Sequence, residues 1–157
     1  MQIIKDGVVV ADDVRHLADD EAAPAEGRHT VSLARWKKEK DSLAVAGVRL
    51  LGGDSVADLA PDLPRLALVV VEFPVLGDGR GFSHARLLRD RYGYQGEIRA
   101  YGNFLRDQIY FLSRVGVNAF EPAYSADLEA MLPALAEFSV HYQAAADIKQ
   151  PLYRRRG

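Results

Sequence analysis

The chain contains no cysteine. That excludes disulfides, a thiolate nucleophile and a cysteine-ligated iron–sulfur cluster. No stretch approaches the ~20 apolar residues of a membrane span. No sign of charge dominates: 20 Lys and Arg stand against 22 Asp and Glu, a formal net charge of −2. With a pI of about 6.1, general nucleic-acid binding is disfavoured. The opening residues Met1-Gln2-Ile3-Ile4-Lys5-Asp6 lack a signal-peptide pattern, so the expectation is a cytoplasmic protein. His16 follows Asp12 and Asp13, but no second histidine has ligand spacing, and no metal site is expected. Neither a Walker A loop nor a dinucleotide fingerprint occurs, and no cofactor is evident.

What is present is a strand, a glycine-rich turn and a helix between Leu66 and Tyr92. The run Leu66 to Val71 is apolar on both alternating faces, as in the middle of a parallel sheet covered by helices. Ligands in such sheets bind beyond the carboxyl ends of the strands, where Val75 to Gly81 falls. Glycines there permit close backbone approach. The following helix directs unpaired N–H groups at the loop, and Arg80 offers a planar fork for an oxyanion. Asp78 would order the loop. Ser83 would cap the helix or touch a ligand.

The rest of the chain supplies the frame. At 157 residues it forms one domain, long enough to bury a sizeable core. Residues 1–11 read as a β-hairpin, with Asp6-Gly7 as a type I′ turn. Residues 12–29 read as an exposed acidic connector. The βα core spans 30–146, and 147–157 is a basic tail. Within the core, strands are expected at 31–35, 48–51, 66–71, 97–101 and 117–120. Helices are expected at 36–46, 82–92 and 103–115. A short helix follows Asp54 as its cap, and a last one follows Ser125, kinked or restarted at Pro133. Gly47, Gly93 and Gly116 each sit where a helix would end. The fold class is therefore α/β, with about five mainly parallel strands alternating with helices and an added N-terminal hairpin. Local periodicity leaves two closures open: an open flavodoxin-like sheet, or a half-barrel.

Three charged residues interrupt apolar strands: Glu72, Arg99 and Glu121. Buried charges must be paired or neutralised, so the three are expected to meet at the sheet's active edge. Arg106, Asp107 and Gln108 would adjoin them from a neighbouring helix. In the functional reading Gly79, Arg80, Gly81, Ser83, Arg99 and Arg106 hold an anion, and Glu72 or Glu121 exchanges a proton. The competing reading is a self-satisfied network that fixes strand register. His84, in the first helical turn, reads as exposed. An exposed edge strand in the hairpin would make a homodimer easy.

The segments Phe73-Pro74, Asp78-Gly79-Arg80-Gly81-Phe82-Ser83, Ala85-Arg86-Leu87-Leu88-Arg89, Tyr92-Gly93-Tyr94 and Gly96-Glu97-Ile98-Arg99-Ala100 resemble a bacterial family catalogued as domain of unknown function 934. Leu105-Arg106-Asp107-Gln108 and Phe120-Glu121 extend the resemblance, and Val31 to Trp36 is similar to its amino-terminal part. Members of that family are often labelled oxidoreductases of sulfite reduction, since their genes tend to lie beside assimilatory sulfite reductase genes. The resemblance thus implies a role in sulfur assimilation. It supplies no established activity or catalytic residue, and no flavin, nicotinamide, siroheme or iron–sulfur motif accompanies it here. Three functions follow as expectations. The first is an accessory protein that binds a small oxyanion or anionic metabolite at 72–83. The second is a docking module for sulfite reductase or its electron donor. The third is an enzyme on an anionic substrate, with Glu72 or Glu121 as acid/base.

Overall fold

A computed structural model describes residues 1–75, 79–123 and 127–136. The hairpin forms as the Asp-Gly pair requires. Strands β1 (Gln2–Lys5) and β2 (Val8–Ala11) pair antiparallel. Asp6 and Gly7 turn between them at φ 51° and 83°, the positive angles of a type I′ turn.

Six parallel strands follow: β3 (Arg15–His16), β4 (His29–Ser32), β5 (Gly47–Leu50), β6 (Leu68–Phe73), β7 (Glu97–Gly102) and β8 (Ala119–Pro122). The sheet order is β2-β1-β8-β7-β6-β5-β4-β3, with β1 antiparallel to β8. Strands β3 to β8 therefore neighbour one another in strict chain order. A flavodoxin-like sheet reverses its order at a switch point; this one never does. It curls in one direction into a half-barrel, the second of the two closures that periodicity left open.

The curl is measurable. His16 on β3 lies 3.0 Å from Glu121 on β8, although β4 to β7 stand between them in the sheet. They meet across the interior. In addition, Asp12 to Val14 alone join the two outermost strands. Four Cα–Cα steps reach at most about 14 Å, so the sheet's edges come that close at this point.

The acidic connector thus divides differently from the sequence reading. Asp12 to Leu17 is not an exposed tether: Val14 and Leu17 are buried, and Arg15–His16 adds a sixth parallel strand. Two residues of strand leave no periodicity to read, and their partners lie far along the chain.

Helices cover the outer, convex side: α1 (Leu33–Glu39), α2 (Val56–Leu59), α3 (Arg80–Arg86), α4 (Arg106–Arg114), α5 (Leu128–Met131) and α6 (Pro133–Ala136). Alternation on each strand sends Val48, Leu50, Val69, Val71, Phe73, Ile98, Ala100 and Phe120 outward into the main core beneath them. A second, smaller cluster of Val14, Leu68 and Val70 lies apart from it. Helix α1 starts at Leu33, earlier than expected, because Ser32 Oγ accepts from Arg35 N–H at 3.1 Å and caps it. Asp54 does not cap α2, whose cap is Ser55. Its carboxylate accepts from Leu51 N–H at 2.8 Å. Helix α3 runs on through a wide turn over Leu87–Arg91. Gly93 and Gly116 follow α3 and α4 at φ 62° and 105°. Pro133 restarts the chain as α6. Ser125, the later part of the last helix and the basic tail lie outside the described residues.

Candidate functional site

A half-barrel has an outer face for helices and an inner face of its own. On β6 and β7 the inward positions are Leu68, Val70 and Glu72, and Glu97, Arg99 and Tyr101, opposed in register as Leu68–Glu97, Val70–Arg99 and Glu72–Tyr101. Tyr101 in turn pairs with Glu121 on β8. On β5 the inward residue is Arg49, level with Val70. The interior is therefore ionic, with Val14, Leu68 and Val70 as its apolar floor.

Arg99 is its centre and is fully buried. Its Nε donates to Glu97 at 2.8 Å. Nη1 donates to Glu121 at 2.8 Å and to Asp12 at 2.9 Å, and Nη2 to Asp12 at 3.0 Å. Burial alone would lower its pKa, but the three carboxylates outweigh burial and hold it above the ordinary arginine value. Asp12 shows the mirror effect: burial would raise it, yet the bonds from Arg99 pull it below the usual range. Glu97 also meets Lys5 at 3.0 Å. Arg99 is thus committed to the protein's own carboxylates, and its guanidinium does not offer itself to an anion.

A second chain of bonds runs beside it. Glu121 faces His16 Nε2 with both oxygens at 3.0 Å, so Nε2 carries the proton. His16 Nδ1 lies 2.8 Å from Thr30 Oγ1. Thr30 accepts from Arg49 Nη1 at its hydroxyl, 2.9 Å, and at its carbonyl, 3.0 Å. Arg49 Nη2 donates to Leu17 O at 2.8 Å. The His16 ring also leans on Tyr101, centroids 4.3 Å apart.

One atom in this array lacks a partner. Arg49 Nε is buried and makes no hydrogen bond. Glu72 Oε1 lies 3.7 Å from it, beyond hydrogen-bond reach. Glu72 sits at the carboxyl-end rim with 22% of its side chain exposed. Burial pushes its carboxyl above the usual value. Asp54 and Asp19 push the same way, and Arg49 and His16 oppose them. Glu72 and the buried Arg49 N–H without a hydrogen bond thus stand side by side at the carboxyl-end rim.

The other expected site residues divide. Glu72, Arg99 and Glu121 face the same side of the sheet: Arg99 bonds Glu121 directly, whereas Glu72 meets Arg49 instead. Arg80 packs on the rim over Gly52, where an added Cβ would meet its guanidinium. Gly79 precedes α3 without a side-chain cap. Gly81 serves packing: Phe73's ring occupies the space that a side chain would need. Ser83 lies inside α3 and caps nothing. Arg106, Asp107 and Gln108 belong to the outer helix α4 and do not adjoin the ionic interior. Gln108 Oε1 accepts from Leu105 N–H at 2.8 Å and closes the helix start. Arg106 Nε donates to Ala130 O at 3.2 Å. Asp107 is exposed. Asp78 lies outside the described residues. His84, expected in solvent, is buried, with Nε2 2.9 Å from Leu51 O. That contact ties α3 to the rim.

Sequence reasoning missed Asp12, His16, Thr30 and Arg49. Arg49 was within reach, since it interrupts Val48 and Leu50 as Arg99 interrupts Ile98 and Ala100. At the opposite rim a cleft of about 380 Å³ is lined by Leu63, Pro64, Leu66, Tyr92 and Tyr94, far from this chemistry. Among the described residues, no group of three or more His, Asp or Glu is placed to hold a metal ion.

Compared with known proteins, residues 47–153 match the model of a family described as bacterial protein of unknown function, DUF934. No curated protein and no solved structure matches. The match takes in Arg49, Glu72, Arg99 and Glu121, whereas Asp12, His16 and Thr30 precede it.

Proposed function

The chain belongs to the DUF934 family of bacterial proteins of unknown function, and from that premise we propose that it binds a small oxyanion or carboxylate at the carboxyl-end rim between β5 and β6. Arg49 supplies the charge and Glu72 the exchangeable proton. Arg80, over Gly52, forms the wall. The observation that carries this reading is Arg49 Nε, buried without a partner 3.7 Å from Glu72. A buried unsatisfied donor costs about 1–3 kcal/mol, and a ligand oxygen between the two groups recovers that cost. The sulfur-assimilation role implied by the family resemblance makes sulfite the first ligand to try. Glu72, as acid/base, is the group that would turn binding into catalysis. Glu121 is held between Arg99 and His16, which suits a positioning role better than proton exchange.

Docking on sulfite reductase or its electron donor is a second reading. It draws on the hairpin edge, where β2 has one sheet neighbour and Met1 and Val8 are exposed. The same edge would serve a homodimer.

Thermal unfolding against sulfite, sulfate, phosphate, nicotinamide and flavin nucleotides separates the readings. A ligand at a hundred times its Kd adds about 2.7 kcal/mol, or roughly 5–10 °C for a domain of this size. The shift should appear with a small oxyanion and shrink in Arg49→Lys, which keeps the charge but removes Nε. A shift of equal size in that variant refutes the placement. No shift with any compound favours docking, to be followed by a pull-down with sulfite reductase.

A further inference from the structure

The inner face has an uneven charge count. Lys5, Arg49 and Arg99 stand against Asp12, Glu72, Glu97 and Glu121. Leaving His16 out of the count, the described interior carries one negative charge in excess when Glu72 is ionised. The pairing shows which group is the odd one. Asp12 and Glu121 each take a hydrogen bond from Arg99, and Glu97 takes one from Arg99 and meets Lys5. Glu72 has only the long contact to Arg49. The groups around it do not correct this. His16 reaches it from β3, Asp19 from the loop after β3, and Asp54 from the loop after β5. Tyr101 opposes it on β7, and Arg80 lies over Gly52 on the same rim. Two of these neighbours are further carboxylates. Asp19 accepts from Ser32 Oγ at 2.6 Å, and Asp54 from Leu51 N–H.

An anion entering beside an ionised Glu72 would add a second uncompensated charge to a half-buried place. That is costly at the low effective dielectric of such a site. The same anion beside a protonated Glu72 gains a donor and leaves the total unchanged. Resting on the binding reading above, we infer that this rim takes its ligand as an acid, the anion together with one proton, and that Glu72 carries the proton. The ligand class is thereby narrowed to small monoanions of oxyacids or carboxylic acids. Dianions would need a second proton, and the two neighbouring carboxylates, Asp19 and Asp54, already accept from Ser32 Oγ and Leu51 N–H. The balance is simple: anion plus H⁺ from solvent give the bound anion and Glu72–COOH, and no other bond changes.

Methanesulfonate is the probe, because it is a monoanion with no proton of its own between pH 5 and 9. Its affinity is measured across that range, and proton uptake is read with an indicator dye in weakly buffered solution. At pH 8 binding should take up close to one proton per site, and the uptake should shrink as pH is lowered and free Glu72 becomes protonated. Affinity should drop about tenfold per pH unit once free Glu72 is ionised. In Glu72→Gln, which cannot take up a proton at this position, the uptake at pH 8 and the tenfold-per-unit loss of affinity should both disappear. Binding without uptake in the natural chain, or unchanged uptake in Glu72→Gln, overturns proton coupling while leaving the binding site standing. Failure of both methanesulfonate and sulfite to bind at any pH overturns the binding reading as well.

Discussion

Replacing Arg99 with methionine should both weaken the fold and invert its response to acid. Methionine fills most of the volume but removes four hydrogen bonds to three carboxylates. The three are not left equally stranded. Glu97 keeps Lys5 and Glu121 keeps His16. Asp12 keeps only the Val14 N–H at 3.2 Å and is the group that becomes an uncompensated buried charge. Breaking a buried pair this way costs about 3–5 kcal/mol, a large share of the 5–15 kcal/mol typical of a whole domain. The melting temperature should fall by roughly 6–20 °C. In the natural chain the Asp12 pKa lies below its ordinary 3.8. Its contribution to stability is therefore present above that value and is lost as pH falls through the depressed one. In Arg99→Met the two largest opposing influences are gone, only the Val14 N–H and the charge of Arg28 still oppose burial, and the pKa rises. The contribution is then present at acid pH and is lost as pH rises. Urea unfolding of both proteins at pH 4, 5.5 and 7, followed by circular dichroism, reads the difference. The gap should be widest at pH 7 and narrow toward pH 4. A gap constant in pH, or a loss under about 1 kcal/mol at pH 7, refutes the reasoning.

Two further perturbations test the scaffold. Gly81→Ala drives a methyl into the Phe73 ring. It should cost about 1–3 kcal/mol by overpacking, read as a lower urea midpoint, because that glycine makes room for a ring. Trp36→Phe removes the buried indole N–H that donates to Asp62 at 3.0 Å and should cost about 1–3 kcal/mol at pH 7. Burial would raise the Asp62 pKa, but Trp36 and Lys40 hold it below the usual carboxylate range. The stability it confers is therefore present above its unfolded value and lost as acid protonates it. The Trp36→Phe deficit should shrink accordingly when urea midpoints are compared at pH 7 and pH 3.

The parts of this fold that were legible are those whose causes are local. Asp6-Gly7 dictates its own turn, Pro133 restarts a helix wherever it occurs, and the alternating positions of β6 and β7 separate the two faces of the sheet. The ionic interior was half legible. Charges flanked by apolar strand residues identified Glu72, Arg99 and Glu121, and the same rule applied to Val48-Arg49-Leu50 would have added Arg49. Asp12 and His16 resisted because their surroundings are polar, Asp12 lies in the crossing between strands, and the strand of His16 is two residues long. Acidic, proline-containing sequence reads as solvent-facing. Here the chain spends its charges on an interior that is itself charged, and nothing within ten residues of His16 announces Glu121. In the glycine-rich turn Gly81 makes room for the Phe73 ring, and the Arg49 N–H without a hydrogen bond lies one strand away on β5.

The short crossing from β2 to β3 also bears on how the chain reaches this state. His16 and Glu121 are 105 residues apart, Asp12 and Arg99 are 87, and Asp6 and Asn118 are 112. Contacts of such span are slow to form, because a long loop must close before they reward it. During synthesis the hairpin emerges first, yet its sheet neighbour β8 emerges more than a hundred residues later. Until then Ile3 and Ile4, both buried in the finished fold, have no β8 to pack beside, and Arg99 has no Asp12 in place. The step that docks the hairpin and lays Asp12 to Leu17 across the opening is therefore the one that converts a loose βα array into a closed ionic interior. Slow folding of this protein should be sought there.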